Sequence, residues 1–274
     1  MKLGLKTSPE SGRSTPRSGF NVTPLHISSS TYALTWSTYN SLLSIADTAP
    51  RHEGDPFTIT ETNDTFHLQY ITSSLDSMRD LRLLLNGHYP SNSLDPTPKN
   101  IFLHPMPMAY SHFSPKEYFQ HLSPSSKVGQ TLAYVEVTTS TQTLLDKNPS
   151  FLKALPPGFV ITATRQLSGR GRAGNAWISP LGGLAFSYTL RLPIKLSHRL
   201  VFVQYLVTLA CVEGIKSYGN GWQDINVAIK WPNDLYGKPR GAERWEKIGG
   251  IIINSTYHEN DFILVVGRLF VISG

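Results

Sequence analysis

Two arginines alternate with glycines in Gly169-Arg170-Gly171-Arg172-Ala173-Gly174, and the run ends in Asn175-Ala176-Trp177. Glycines at this spacing let a backbone turn with positive φ and bring bare N–H groups close to a ligand. Arginine adds a charge that does not titrate away, in a planar fork that suits a carboxylate or a phosphate. Such a loop binds an anion and closes over it. Glycine–arginine repeats also occur in disordered RNA-binding tails. Here apolar runs, Phe159-Val160-Ile161 before and residues 184–190 after, favour an ordered ligand loop between two strands.

Further along, Lys230 ends the apolar run Val227-Ala228-Ile229 and precedes Trp231-Pro232-Asn233-Asp234. A lysine in that setting either pairs with an anion or is costly to desolvate. Snorkelling at a strand end, or an ion pair with Asp234, is the plainer account. Lys247-Ile248-Gly249-Gly250-Ile251 sets two glycines in an isoleucine-rich strand, where they imply close approach of another group. Thr138-Thr139-Ser140-Thr141-Gln142 clusters hydroxyls and an amide, more than one helix cap requires. Together these groups meet the needs of carboxylate activation by ATP. The acid must reach the α-phosphate, and fixed cations (Arg170, Arg172, Lys230) must neutralise the charge that develops there. Trp177 offers a stacking face for a purine, or simply a core contact.

The elements that must hold these groups follow from periodicity. Residues 132–137 alternate as a strand, and Thr139 or Ser140 can cap a helix through Leu144 and Leu145. Residues 159–164 and 184–190 are the strands around the glycine loop, and 227–231 is another, followed by a turn at Pro232-Asn233-Asp234. Ser197 is placed to cap a long helix to about Tyr218, and residues 248–255 and 262–266 close as an antiparallel pair. Upstream, Ser114-Pro115-Lys116-Glu117 is a capping box, and the helix should run to about Leu122. Mixed strands and helices without a regular βαβ alternation argue for an α+β fold, a mixed sheet flanked by helices.

The first 113 residues read differently. Residues 1 to about 30 are rich in Ser, Thr, Pro and Gly and predict disorder. A hairpin is expected at 57–60 and 66–71, with Asn63-Asp64 at its turn. A helix is expected over Ser74–Asn86, then a linker from 88 to 113. We therefore divide the chain into an N-terminal extension, 1–113, and a catalytic domain, 114–274.

Composition narrows the classes. Of 274 residues, 40% are hydrophobic, enough for a sizeable core, and the net charge of +6 is too mild and too spread to indicate nucleic acid. The lone Cys211 excludes an internal disulfide framework and a cysteine-only zinc site, so a cytoplasmic setting is expected. No run of about 18 apolar residues stands out, and no membrane association is expected.

The glycine–arginine loop, Lys230-Trp231-Pro232-Asn233-Asp234 and Lys247-Ile248-Gly249-Gly250-Ile251, in that order, resemble the biotin–protein ligases (holocarboxylase synthetases). The segment Glu136 to Gln142 fits the resemblance too, whose wording is that of the large fungal-type enzymes; it covers roughly residues 115–267. It implies a class II synthetase-like domain that joins biotin to ATP, with Mg²⁺, as biotinyl-5′-AMP and then biotinylates an acceptor lysine of carboxylases. By position it assigns Ser140, Thr141, Gln142 and Gln166 to the biotin head. Gly169, Gly171, Arg170 and Arg172 fall to the carboxylate and phosphate, and Trp177 to the adenine. It makes Lys230 the bridge from carboxylate to α-phosphate, and Gly249 and Gly250 a wall of the biotin site. Asn233 and Asp234 are a nucleotide or Mg²⁺ contact, or a structural turn. Family members continue the last strand into Gly-x-Gly-x-Asn and a C-terminal domain, whereas here Gly267 is followed by Arg268-Leu269-Phe270. The expectation is a C-terminally truncated, impaired ligase; a lipoate–protein ligase and an inactive biotin- or nucleotide-binding fragment are the alternatives.

Overall fold

The computed structural model describes residues 22–47, 56–70, 99–105, 107–108, 110–171, 176–179, 181–238 and 241–270. Most of these lie in or against one mixed sheet. Its strands are β1 (Leu25–Ser29), β2 (Phe57–Thr60), β3 (Thr65–Tyr70), β4 (Lys99–Leu103), β5 (Thr131–Thr138) and β6 (Val160–Arg170). They continue as β7 (Ala176–Ser179), β8 (Leu184–Pro193), β9 (Asn226–Lys230), β10 (Asp234–Lys238), β11 (Glu246–His258) and β12 (Asp261–Phe270). The order across the sheet is β2-β3-β4-β1-β5-β6-β8-β12-β11-β10-β9, with β7 folded back on β6. The pairs β1–β4, β3–β4 and β5–β6 are parallel and the others antiparallel.

Alternation along the strands separates two cores. On one face Ala133, Val135, Ile161, Ala163, Ile263 and Val265 pack with Leu144, Leu145 and Phe151. These last three come from α3 (Thr141–Asp146) and α4 (Pro149–Ala154), and α1 (Tyr32–Leu43) adds Leu42 to the same core. On the other face Leu132, Val160, Leu235, Ile251 and Val266 meet Val207, Cys211 and Val212 of α5 (Leu200–Lys216), beside Tyr118 and Phe119 of α2 (Pro115–His121). Burial of Leu144 and Leu145 contributes about 1.5–3 kcal/mol each, which pins a helix of only six residues in place.

Several expectations are met closely. Ser114 and Ser140 cap α2 and α3, accepting from the Glu117 and Thr143 amides at 3.2 and 3.3 Å. The hairpin around Asn63-Asp64 forms as β2 and β3.

Others are corrected. Residues 25–29, placed in the disordered start, form a strand whose five residues are all buried, because β4 and β5 flank it. The stretch read as linker contains β4, whose Ile101-Phe102-Leu103 core outweighs its polar surroundings. The sheet therefore continues without a break past residue 113. Ser197 does not cap the long helix; it lies in a 3-10 turn, Ile194–Arg199, and α5 begins only at Leu200. Turn and helix together, Ile194–Lys216, form a stretch long and apolar enough to cross a membrane, which the sequence reading did not find. The last strand does not end at 267. Arg268, Leu269 and Phe270 continue β12, paired to β11 and β8 on both sides. The helix expected over Ser74–Asn86 lies outside the described residues.

Candidate active site

The hydroxyl–amide cluster forms a buried lattice over the face that carries α3. Thr141 donates to Gln166 Oε1 through its amide at 2.8 Å and through its hydroxyl's Oγ1 at 3.1 Å. The same hydroxyl meets Ser187 Oγ at 2.8 Å. Gln142 Nε2 donates to the Val265 carbonyl at 3.1 Å, and Ser187 Oγ lies 3.4 Å from Gln142 Oε1. All four side chains are at least 95% buried. Unbonded, each would cost about 1–3 kcal/mol, so the lattice is a fixed array of donors and acceptors. Ser187 escaped the sequence reading, because a serine in an apolar strand carries no local signal.

Strand register shows what lies beside this lattice. Ser187 pairs with Gly267, and Gly267 with Ile252. Two residues on, at about 3.4 Å per residue, the next row on the same face is Ala185, Leu269, Gly250, Asp234 and Lys230. On this face Gly267, Ala185 and Gly250 carry little or no side chain, while Leu269 stands between Ala185 and Gly250 and Gln142 lies over Gly267. From β12 to β9 is three strand spacings, roughly 14 Å.

Lys230 is exposed and donates to Tyr236 Oη at 3.2 Å, with its Nζ 4.9 Å from the centre of that ring. Its partner is therefore not Asp234. Asp234 pairs with Lys247 at 2.7 Å. Asn233 clips the β9–β10 turn to β11: its Nδ2 donates to the Ile251 carbonyl at 3.1 Å and its own carbonyl accepts from Ile251 N at 2.9 Å. The two glycines of β11 face opposite ways. A Cβ on Gly249 would stand 2.8 Å from the Phe270 ring in the α5 core, whereas Gly250 opens onto the row holding Asp234.

The glycine–arginine stretch is a hairpin rather than a plain loop, because β6 runs on to Arg170. β7 returns with Trp177 opposite Gly169 and Ala176 opposite Arg170. The Ser168 amide donates to the Thr139 carbonyl at 2.8 Å, tying the hairpin's base to the strand-to-helix junction before Ser140. Gly169 is buried and Gly171 is partly so; Arg172 lies outside the described residues, and of Arg170 and Trp177 the backbone alone is described.

No group of three or more His, Cys, Asp or Glu side chains suited to a metal occurs among the described residues. Cys211 is not part of the site. It lies on the α5 side, where burial pushes its thiol up to about 11 against the opposing pull of Arg268. That arginine bonds Cys211 Sγ, the Val207 carbonyl at 2.8 Å and Tyr188 Oη at 3.1 Å.

A buried hydroxyl–amide lattice, glycines beside it and an exposed lysine beyond them thus lie in succession on one face of a mixed sheet. Residues 134–269 match the model of the Biotin/lipoate A/B protein ligase family. The chain is 39% identical over 159 residues to the biotin–protein ligase of Schizosaccharomyces pombe, covering 55% of this chain and 25% of that protein. It is 36% identical over 158 residues to the human biotin–protein ligase, covering 57% and 21%. Among solved structures, the biotin protein ligase of Aquifex aeolicus in complex with biotin and ATP aligns at 26% identity with a TM-score of 0.40, covering 52% of this chain and 53% of that one. The chain thus spans a quarter or less of the two eukaryotic relatives.

Proposed function

We propose that the chain carries out, or carries the catalytic part of, ATP-dependent biotinylation. Biotin's carboxylate attacks the α-phosphorus of ATP, the bond from that phosphorus to the bridging oxygen breaks, and pyrophosphate leaves with the electron pair. An acceptor lysine then attacks the mixed anhydride and AMP departs. The observation that supports this reading best is the row structure of one face: lattice, glycine floor and Lys230 in succession. Ser140, as the cap that starts α3, holds Thr141 and Gln142 in place for the biotin ring. Gln166 accepts from Thr141 from its place on β6. Lys230, Arg170 and Arg172 supply cations where the carboxylate meets the α-phosphate. Gly169 and Gly171 let the hairpin backbone approach, and Trp177 is assigned to the purine. Gly250 lines the channel, and Gly249 supports it by keeping β11 close to Phe270. Asn233 acts through the turn it clips.

Mg²⁺ would be held mainly by the triphosphate itself and would offset charge on the phosphate oxygens as pyrophosphate leaves. The acceptors are biotin-accepting domains of carboxylases, met in the cytoplasm. The relatives named above are biotin–protein ligases, which favours biotin over lipoate.

Calorimetry tests the reading. Biotin should bind, and a non-hydrolysable biotinyl-AMP analogue should bind far more tightly because it fills both halves of the site. Equal weak binding of the two, or tighter binding of lipoate, would refute it.

A further inference from the structure

We propose that Lys247 is a second cation of the nucleotide site, held by Asp234 so as to take the β- and γ-phosphates. The inference rests on the adenylation reading above. It begins with a parity problem. Lys247 and Gly250 are three residues apart, and in a regular strand such residues point to opposite faces. In β11 they share a face, because the register against β10 shifts: Leu235 pairs with Gly249 but Tyr236 pairs with Lys247, leaving Ile248 as an extra residue. A bulge of this kind re-aims the side chains beyond it. The fold makes room for it, since a Cβ on Gly237 would stand 2.9 Å from Ile248 Cγ2.

The re-aimed lysine continues the ligand's path. The lattice lies level with Ser187 and Gly267, and Lys230 and Gly250 are one row further. Lys247 and Tyr236 form the row after that, toward the same end as the β6–β7 hairpin. Ring, carboxylate with α-phosphate, and then the outer phosphates succeed one another in the same order. A Cβ on Gly250 would stand 3.6 Å from Asp234 Oδ1 and 3.8 Å from Lys247 Nζ, so the pair rims the space above that glycine. Lys230, Asp234 and Lys247 on β9, β10 and β11 together carry one net positive charge.

Stability gives little reason for the arrangement. The two side chains are 30% and 23% exposed, and a pair so placed contributes about 1 kcal/mol or less. A pinned cation aimed at a phosphate is of more use, because its ordering is complete before the ligand arrives.

The test compares Lys247→Met, Lys247→Arg and Asp234→Asn with the unmutated chain, all at full length. Calorimetry with biotin alone reads the first half of the site. Calorimetry with α,β-methylene-ATP, at saturating biotin and Mg²⁺, reads the second. Lys247→Met should leave biotin affinity within about twofold and weaken the nucleotide about tenfold or more, and Lys247→Arg should recover part of that loss. Asp234→Asn should give a smaller loss, because the lysine stays but is no longer held. Unchanged nucleotide affinity in Lys247→Met, with biotin binding intact, overturns this inference alone. So does an equal loss for both ligands, which would mark a merely structural pair. Failure of the unmutated chain to bind biotin overturns the adenylation reading, and this inference with it.

Discussion

Gly267 lies directly beneath Gln142: a Cβ at position 267 would stand 2.3 Å from Gln142 Oε1. The amide could swing aside, but only by giving up its bond to the Val265 carbonyl and its contact with Ser187. Gly267→Ala should therefore lower biotin affinity about tenfold or more, for the loss of one or two buried hydrogen bonds. The melting temperature should fall by a few degrees as well, since a buried amide left without its partner costs about 1–3 kcal/mol. Titration calorimetry alongside a thermal melt separates the two effects.

Lys230→Ala should abolish adenylate formation and spare the fold. The side chain is exposed and leans on Tyr236, so little packing is lost. Pyrophosphate exchange should fall on the order of 10²-fold or more, as expected for one preorganised cation. Exchange that survives unchanged would remove this lysine from the mechanism.

Acid should destabilise the N-terminal half of the sheet through His26 and His104, whose Nδ1 and Nε2 lie 3.0 Å apart. Burial lowers His26 to about 3, helped by the charge of His104, and burial lowers His104 to about 4. Both values fall below the 6.5 of an unfolded histidine, so between about pH 6.5 and 4 the unfolded chain binds more protons and stability falls as pH falls. The combined loss by pH 4 is on the order of 5 kcal/mol. Urea melts across that range should show it, and His26→Phe with His104→Leu should flatten the profile.

Helix α5 presents Val201, Phe202, Leu206 and Leu209 to solvent, each at least 48% exposed. Adjacent apolar residues at this level promote self-association. Leu206→Glu with Leu209→Lys should raise the solubility of the isolated chain and leave biotin binding within twofold, since α5 covers the opposite face. Light scattering with increasing concentration checks it.

What the sequence displayed was local chemistry. Ser114 and Ser140 announced their helices because a cap and its helix are contiguous, whereas the glycine–arginine run read as a loop and its return strand did not show. Pairings between distant segments were hidden. β10 looked like the end of a turn at Asp234, and its strand character comes from β9 and β11 on either side. The Ile248 bulge cannot be seen without the partner strand that counts past it. Ser187 joined the site only when β8 came to lie beneath α3, and Tyr236 only when its ring met Lys230. Leu25–Ser29 looked too polar and too short to be structured, because what buries it is more than 70 residues away.

The position of β12 bears on how the chain assembles. It is the last of the described strands in sequence, yet it sits between β8 and β11 and bonds to both along its length. Until it arrives, β9, β10 and β11 have no partner among the earlier strands, and β8 has one bare edge. During synthesis the two halves of the sheet must wait, each exposing unpaired backbone, for ten residues that join them at once. The closing step is long-range and slow by nature, and it is when the chain most needs protection from sticking to others. Because Gly267 is in that strand, the floor of the site we propose for biotin is completed at the same moment as the sheet.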